Sequence, residues 1–155
     1  MPNPYFQFKQ FTVRHDKCAM KVGTDGVLLG AWAPVQDAKR ILDVGAGSGL
    51  ISLQLAQRNT EAAITSVEID PAAAAHAQEN IQSSPWSHRM EVVCCDFRKY
   101  HPEDRFDLIV SNPPYFVDAL KCPDNQRCMA RHTSELSYEL LFGHSAHFLS
   151  ERGSI

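Results

Sequence analysis

From residue 39 onward, short apolar runs alternate with stretches whose apolar positions recur at helical spacing. RILDV (40–44) reads as a strand that meets the glycine run GAGSG, and LISLQLAQR (50–58) continues as an apolar-faced helix. AITSVEI (63–69) predicts a second strand. Asp70, Pro71 and AAAAHAQENIQ follow, with a capping aspartate and a proline at the first helical position. MEVVCCDF (90–97) and FDLIVSN (106–112) are the third and fourth strands, with Cys94 and Cys95 expected as buried core thiols. Strands separated by helices predict an α/β fold whose sheet is mostly parallel and covered on both faces.

The flanks read differently. Residues 6–22 predict two short strands, Phe6 and Phe8 then Phe11 and Val13 alternating with polar residues, and Cys18, Met20 and Val22 alternating after them. That pattern puts His15-Asp16 near the turn. Asp25 is placed to cap a short helix, GVLLGAWA, which Pro34 ends. Residues 117–134 form a polar connection longer than the ~12 to 15 residues usual for a structureless loop, as expected of a lid, a binding element or a disordered segment. LSYELLFGHSAHFLS reads as one more helix, and ERGSI stands where a fifth strand would begin.

Composition narrows the class. A chain of 155 residues is the size of one domain, and 44% hydrophobic with 21% charged residues suits a soluble globular protein. No apolar run approaches the ~18 to 20 residues of a membrane span. MPNPYFQFKQ lacks the apolar core of a signal peptide, so a cytoplasmic location is expected. Cys18, Cys94, Cys95, Cys122 and Cys128 are odd in number and lack CxxC or zinc-type Cys/His spacing, so neither a metal site nor a disulfide framework is expected. Net charge of −3 argues against a general polyanion binder. Residues 1–21 nonetheless carry Lys9, Arg14, Lys17 and Lys21 against Asp16, a basic edge that would suit a specific polyanion site or simply a solvated hairpin.

The chemistry concentrates at strand ends. In DVGAGSG (43–49) glycines let the backbone turn off the strand and approach a ligand at the start of the next helix. A dinucleotide fingerprint, GxGxxG, would need its last glycine at Leu50, so the spacing is instead GxGxG. Asp43 before it would repel a pyrophosphate but suit a cationic or amino-acid ligand. Glycines Gly45, Gly47 and Gly49 behind an acid resemble motif I of the class I methyltransferases, which bind S-adenosylmethionine.

That resemblance implies a Rossmann-like sheet and further site residues. Glu68, at the second strand tip, stands where the fold puts a carboxylate that accepts from both ribose hydroxyls. Asp70 competes for that role but better suits the helix cap. Asp96 and Phe97 end the third strand, where the family meets the adenine: the carboxylate accepts from the amino group and the apolar neighbour lines the ring. SNPPYF (111–116) ends the fourth. If the Asn112 side-chain oxygen and the Pro113 carbonyl each accept one hydrogen of a planar amine, its lone pair is drawn toward the sulfonium methyl. Prolines stiffen that bend, and Tyr115 can stack on a base turned out of its helix.

NPPY marks methyltransferases acting on adenine N6, guanine N2 of ribosomal RNA or the glutamine of release factors, and the motif alone does not choose among them. FTVRHDKCAMKVGTDGVLLGAWA followed by ILDVGAGSGLISLQLAQR, with ARHTSELSYELL later, is similar to the bacterial tRNA(Val) adenine-37-N6 methyltransferases. By this resemblance Lys21, Gly23, Thr24 and Asp25 form an N-terminal lid over the cofactor. Arg14, His15, Lys17, Lys121, Arg127 and Arg131 become candidates for tRNA phosphate contacts. The chain then reads as one methyltransferase domain, with a hairpin and lid helix over residues 1–34 and a core over 35–155. Class I members usually complete a seven-strand sheet, so a C-terminally truncated member is expected, with the fourth strand's edge left open. A monomer is expected of the complete protein. Adenine in tRNA is the leading substrate. The alternatives are an N-methyltransferase of release-factor glutamine or rRNA guanine, or a cofactor-binding module inactive through truncation.

Overall fold

The computed structural model describes residues 4–16, 23–113 and 137–155. In chain order its elements are β1 (Tyr5–Gln7), β2 (Thr12–Arg14), α1 (Thr24–Trp32), β3 (Arg40–Val44), α2 (Leu50–Arg58), β4 (Ala63–Glu68), α3 (Pro71–Gln82), β5 (Met90–Cys94), β6 (Phe106–Ser111), α4 (Tyr138–Ala146) and β7 (Leu149–Ser154). Five strands form one sheet in the order β5-β4-β3-β6-β7. All its pairings are parallel.

The alternation of side chains along each strand builds two cores. Ile41, Ile64, Met90, Leu108 and Val110 face one way and meet Leu53, Leu55 and Ala56 of α2, Ile81 of α3 and Ala33 just after α1. Leu42, Val44, Val67 and Ile109 face the other way, toward Leu141 of α4 and the aromatic group Phe97, Phe106 and Phe148. Burying both faces explains the near-continuous apolar runs of RILDV and FDLIVS.

Local signals explain the α3 start. Asp70 accepts from Ala72 N–H (3.3 Å) and Ala73 N–H (3.4 Å), with Pro71 in the first turn. At α1 the expectation is corrected: the helix begins at Thr24, Gly23 occupies the cap position in an extended conformation, and Asp25 lies in the first turn. There its charge still favours the helix N-terminus.

Three further expectations fail. The hairpin is tighter than predicted: β1 pairs antiparallel with β2, Tyr5 opposite Arg14 and Gln7 opposite Thr12, so the turn falls before Thr12 and His15-Asp16 follow the second strand. The predicted strand at 18–22 lies outside the described residues. The last helix ends at Ala146, and residues 149–154 form a fifth strand against β6, so among the described residues β7 and not the fourth strand is the sheet edge. That strand is polar and half exposed. It is held by its backbone ladder, by Ser150 Oγ donating to Asp107 Oδ1 (2.8 Å) and by Arg105 Nη1 donating to the Leu149 carbonyl (3.0 Å). Finally, β5 lies at the opposite edge, so Cys94 is exposed and Cys95 half-buried, where core thiols were expected.

Among the described residues no helix is long and apolar enough to cross a membrane, and no group of three His, Cys, Asp or Glu could hold a metal ion.

Candidate active site

Parallel register aligns the carboxyl ends of four strands. Val44 lies opposite Val67 on one side and Ser111 on the other, and Glu68 lies opposite Cys94. In open α/β sheets ligands bind outside these ends, where strand order reverses. Here the order reverses between β3, flanked by β4, and β6.

The glycine run leaves β3 as a tight loop. Gly45 N–H (2.8 Å) and Ala46 N–H (3.1 Å) both donate to the Val67 carbonyl, tying the loop to β4. Gly45, Gly47 and Gly49 have φ of 73°, 56° and 86°, a region that side chains strongly disfavour. A Cβ at Gly45 or Gly47 would meet nothing within 4 Å, so these two glycines border open space.

Glu68 organises this loop. It is 9% exposed; Oε1 accepts from Gly47 N–H (2.7 Å) and Oε2 from Asp70 N–H (2.9 Å). One backbone donor on each oxygen fixes the carboxylate and leaves each oxygen with further acceptor capacity. Asp70 is occupied in the helix cap, the role that the sequence favoured for it.

Asp43 is 1% exposed, and its Oδ2 accepts from Ser52 Oγ (2.8 Å), which in turn lies 2.6 Å from Ser66 Oγ. Burial, with a smaller push from the Glu68 charge, raises its pKa to about 6 against the lowering effect of the Ser52 hydrogen bond. Among the described residues Oδ1 has no hydrogen-bond partner. A buried carboxylate oxygen without a donor is costly unless a ligand satisfies it.

Asp96 follows β5 and caps a short 3-10 turn through Arg98 N–H (2.9 Å). The Arg98 guanidinium also grips both carboxylate oxygens and holds the pKa below the usual carboxylate range. Phe97 is buried in the second core, edge-on to Phe148 and to the His144 ring.

At the β6 tip, Ser111 Oγ donates to the Val44 carbonyl (2.8 Å), bracing the strand end against β3. Asn112 and Pro113 follow, both half-buried. A Cβ on Gly26 would lie 3.1 Å from Leu50 Cδ2 and 3.6 Å from Asn112 Nδ2, so α1, α2 and the β6 tip converge here. Gly23, Thr24 and Asp25 begin α1, with Thr24 and Asp25 exposed. The structure thus brings Asp43, the glycine loop, Glu68, Asp96 and Asn112 to one end of the sheet. Lys21 and Tyr115 lie outside the described residues, as do Lys17, Lys121, Arg127 and Arg131.

Sequence reasoning missed Ser52, Ser66, Arg98 and Asn80. Asn80 of α3 bonds the backbone of Arg14 in the hairpin and of Ser48 in the glycine loop. Only Arg98, two residues from its partner, left a local signal.

Comparison with known proteins identifies the family and supports the fold. The chain is 63% identical over 155 residues to the tRNA1(Val) (adenine(37)-N6)-methyltransferase of Bacteroides thetaiotaomicron, covering 99% of this chain and 65% of that protein. It is 52% identical over 151 residues to the protein of the same name from Salmonella typhi, covering 96% and 62%. The chain therefore spans a little under two thirds of those relatives. Its fold resembles the SAM-dependent methyltransferase from Thiobacillus denitrificans in complex with S-adenosyl-L-homocysteine, with a TM-score of 0.63 at 14% identity over 85% of this chain and 46% of that one. A similar likeness, with a TM-score of 0.62 at 16% identity over 87% and 49%, holds for the SAM-dependent methyltransferase from Geobacter sulfurreducens in complex with S-adenosyl-L-homocysteine. Residues 19–136, well over half of the sequence, match the Methyltransferase small domain, and the chain belongs to that family.

Proposed function

We propose that this chain carries the cofactor-binding and methyl-transfer machinery of a cytoplasmic enzyme that methylates N6 of adenine in tRNA, with S-adenosylmethionine as donor and adenine 37 of tRNA(Val) as target. The observation that carries the reading is that Asn112-Pro113 directly follow β6, the strand paired with the β3 that leads into the glycine loop, one end of the sheet holding both. The names of the relatives supply the tRNA and the position.

Three features suit the cofactor. Glu68 retains acceptor capacity on both oxygens, which matches the two donors of a ribose diol. Gly45 and Gly47 border open space. The unpartnered Asp43 Oδ1 is an acceptor for a cationic group, and such a group would hold the carboxyl ionised. When bound, S-adenosylmethionine supplies a methyl group on a sulfonium, an electrophile that needs neither metal nor nucleophilic side chain.

The remaining work falls to residues of this chain. The Asn112 side-chain oxygen and the Pro113 carbonyl accept the two amino hydrogens of adenine and bring its lone pair out of conjugation. Tyr115 stacks on the base, Asp96 accepts from the cofactor's adenine, and Lys21, Gly23, Thr24 and Asp25 close the N-terminal side. Exposed Arg14 contributes to a phosphate-binding edge.

The test is nucleoside mass mapping of unmodified tRNA after incubation with S-adenosylmethionine. One N6-methyladenosine is expected, and Asn112→Ala lowers kcat by about 100-fold or more with S-adenosylhomocysteine binding retained. Methyl found on guanine or on a protein glutamine rejects the reading.

A further inference from the structure

Asn80 is 3% exposed, and its amide is committed to two remote backbone segments. Oδ1 accepts from Arg14 N–H (2.9 Å), while Nδ2 donates to the Arg14 carbonyl (3.0 Å) and the Ser48 carbonyl (2.8 Å). Reversing the amide would set donor against donor and oxygen against two carbonyls, so the network fixes its orientation. Both N–H donors are used.

At one end of this clamp lies the hairpin. Its register places Tyr5 and Gln7 opposite Arg14 and Thr12, so these four side chains share a face, and all are exposed. Val13 turns the other way and is fully buried. A tyrosine ring beside a guanidinium is a surface on which an unstacked base can lie while its phosphate meets the cation. A groove of about 350 Å³, lined by Thr12, Arg14, Glu79, Asn80 and Ser83, runs along the junction of this ribbon with α3.

At the other end lies the glycine loop. Ser48 sits between Gly47, whose N–H binds Glu68, and Gly49, the residue capping α2. Flanking glycines leave the Ser48 carbonyl easily rotated, and the Asn80 amide holds it.

We propose that Asn80 is a positioning residue that couples these two ends, so that RNA on the Tyr5/Arg14 face and cofactor at the glycine loop bind cooperatively. The proposal rests on the methyltransferase reading above. Coupling of this kind is reciprocal: whatever factor RNA contributes to cofactor affinity, cofactor returns to RNA affinity.

Calorimetry tests it, with S-adenosylhomocysteine titrated into the chain with and without saturating unmodified tRNA. In the wild type tRNA lowers the Kd for S-adenosylhomocysteine about five-fold or more. Asn80→Asp keeps the acceptor for Arg14 N–H but loses both donors. In it, and in Asn80→Ala, each ligand still binds alone, but the factor drops below about two. A wild-type factor near one overturns the proposal, and this arm needs no variant to fold. An unchanged factor in a folded variant overturns it as well, because a purely structural role weakens each ligand without touching their coupling. Absence of S-adenosylhomocysteine binding or of methyl transfer to tRNA defeats the methyltransferase reading itself, whereas binding and transfer without coupling defeat only the role of Asn80.

Discussion

Glu68 and Asp96 end neighbouring strands of one sheet, and their surroundings put them to different uses. Glu68 is buried and takes a backbone N–H on each oxygen, so it shapes the glycine loop before any ligand arrives. Asp96 is tied to the side chain of Arg98, itself well exposed, and organises only its own turn. The contrast follows from position in the sheet. β4 has a strand on both sides, while β5 is an edge where solvent competes for every bond.

Five substitutions, grouped as four probes, test that contrast in order of falling effect. Glu68→Ala removes two charge-assisted bonds and strands two backbone donors, with an expected loss of about 3 to 6 kcal/mol by chemical denaturation. Asp96→Ala, run beside it, should cost no more than about 1 kcal/mol; equal losses would abolish the distinction between the two tips.

Asp43 supplies the second probe. Its folded pKa of about 6 stands above the ordinary 3.8, so between those values the folded chain holds the proton more tightly than the unfolded chain. The stability contributed by this group therefore falls as pH rises from about 4 to about 6, by up to roughly 3 kcal/mol, and does not return above that range. Asp43→Asn should abolish that fall and leave the unliganded protein more stable than the wild type at about pH 8. Parallel stability curves for the two proteins over this range would contradict a buried, proton-binding Asp43.

Gly47→Ala comes third. An added Cβ meets nothing within 4 Å, so the cost is conformational alone, about 1 to 2 kcal/mol. A much larger loss would mean that the loop tolerates no change beside Glu68. Arg98→Ala is the smallest, a barely measurable shift in thermal melts, because an exposed ion pair is weak. A drop approaching that of Glu68→Ala would show that the β5 tip is as tightly built as the β4 tip.

Most of the sheet was legible because β3, β4 and β6 are buried on both faces and α3 carries its own start signal. RILDV and LISLQLAQR keep their predicted bounds. The failures share a cause. LSERGS has no apolar alternation and becomes a strand only because β6 offers it a ladder and Asp107 receives Ser150. In the hairpin, the aromatic stack of Phe8 on Phe11 and the edge contact of Phe11 with Trp86 draw the turn toward the N-terminus. Trp86 is remote in the sequence, and no local pattern announces it.

The sequence by itself determined the order of strands and helices, the glycine loop and which acids and amide stand at strand tips, since these depend on near neighbours and a period of two or 3.6 residues. Tertiary structure alone decided how those tips are wired: Glu68 to Gly47, Asp43 to Ser52 and through it to Ser66, Asn80 to Arg14 and Ser48. Each of these bonds spans many residues of chain. A hydrogen bond requires its partners within about 3 Å, and only the packed fold brings them that close.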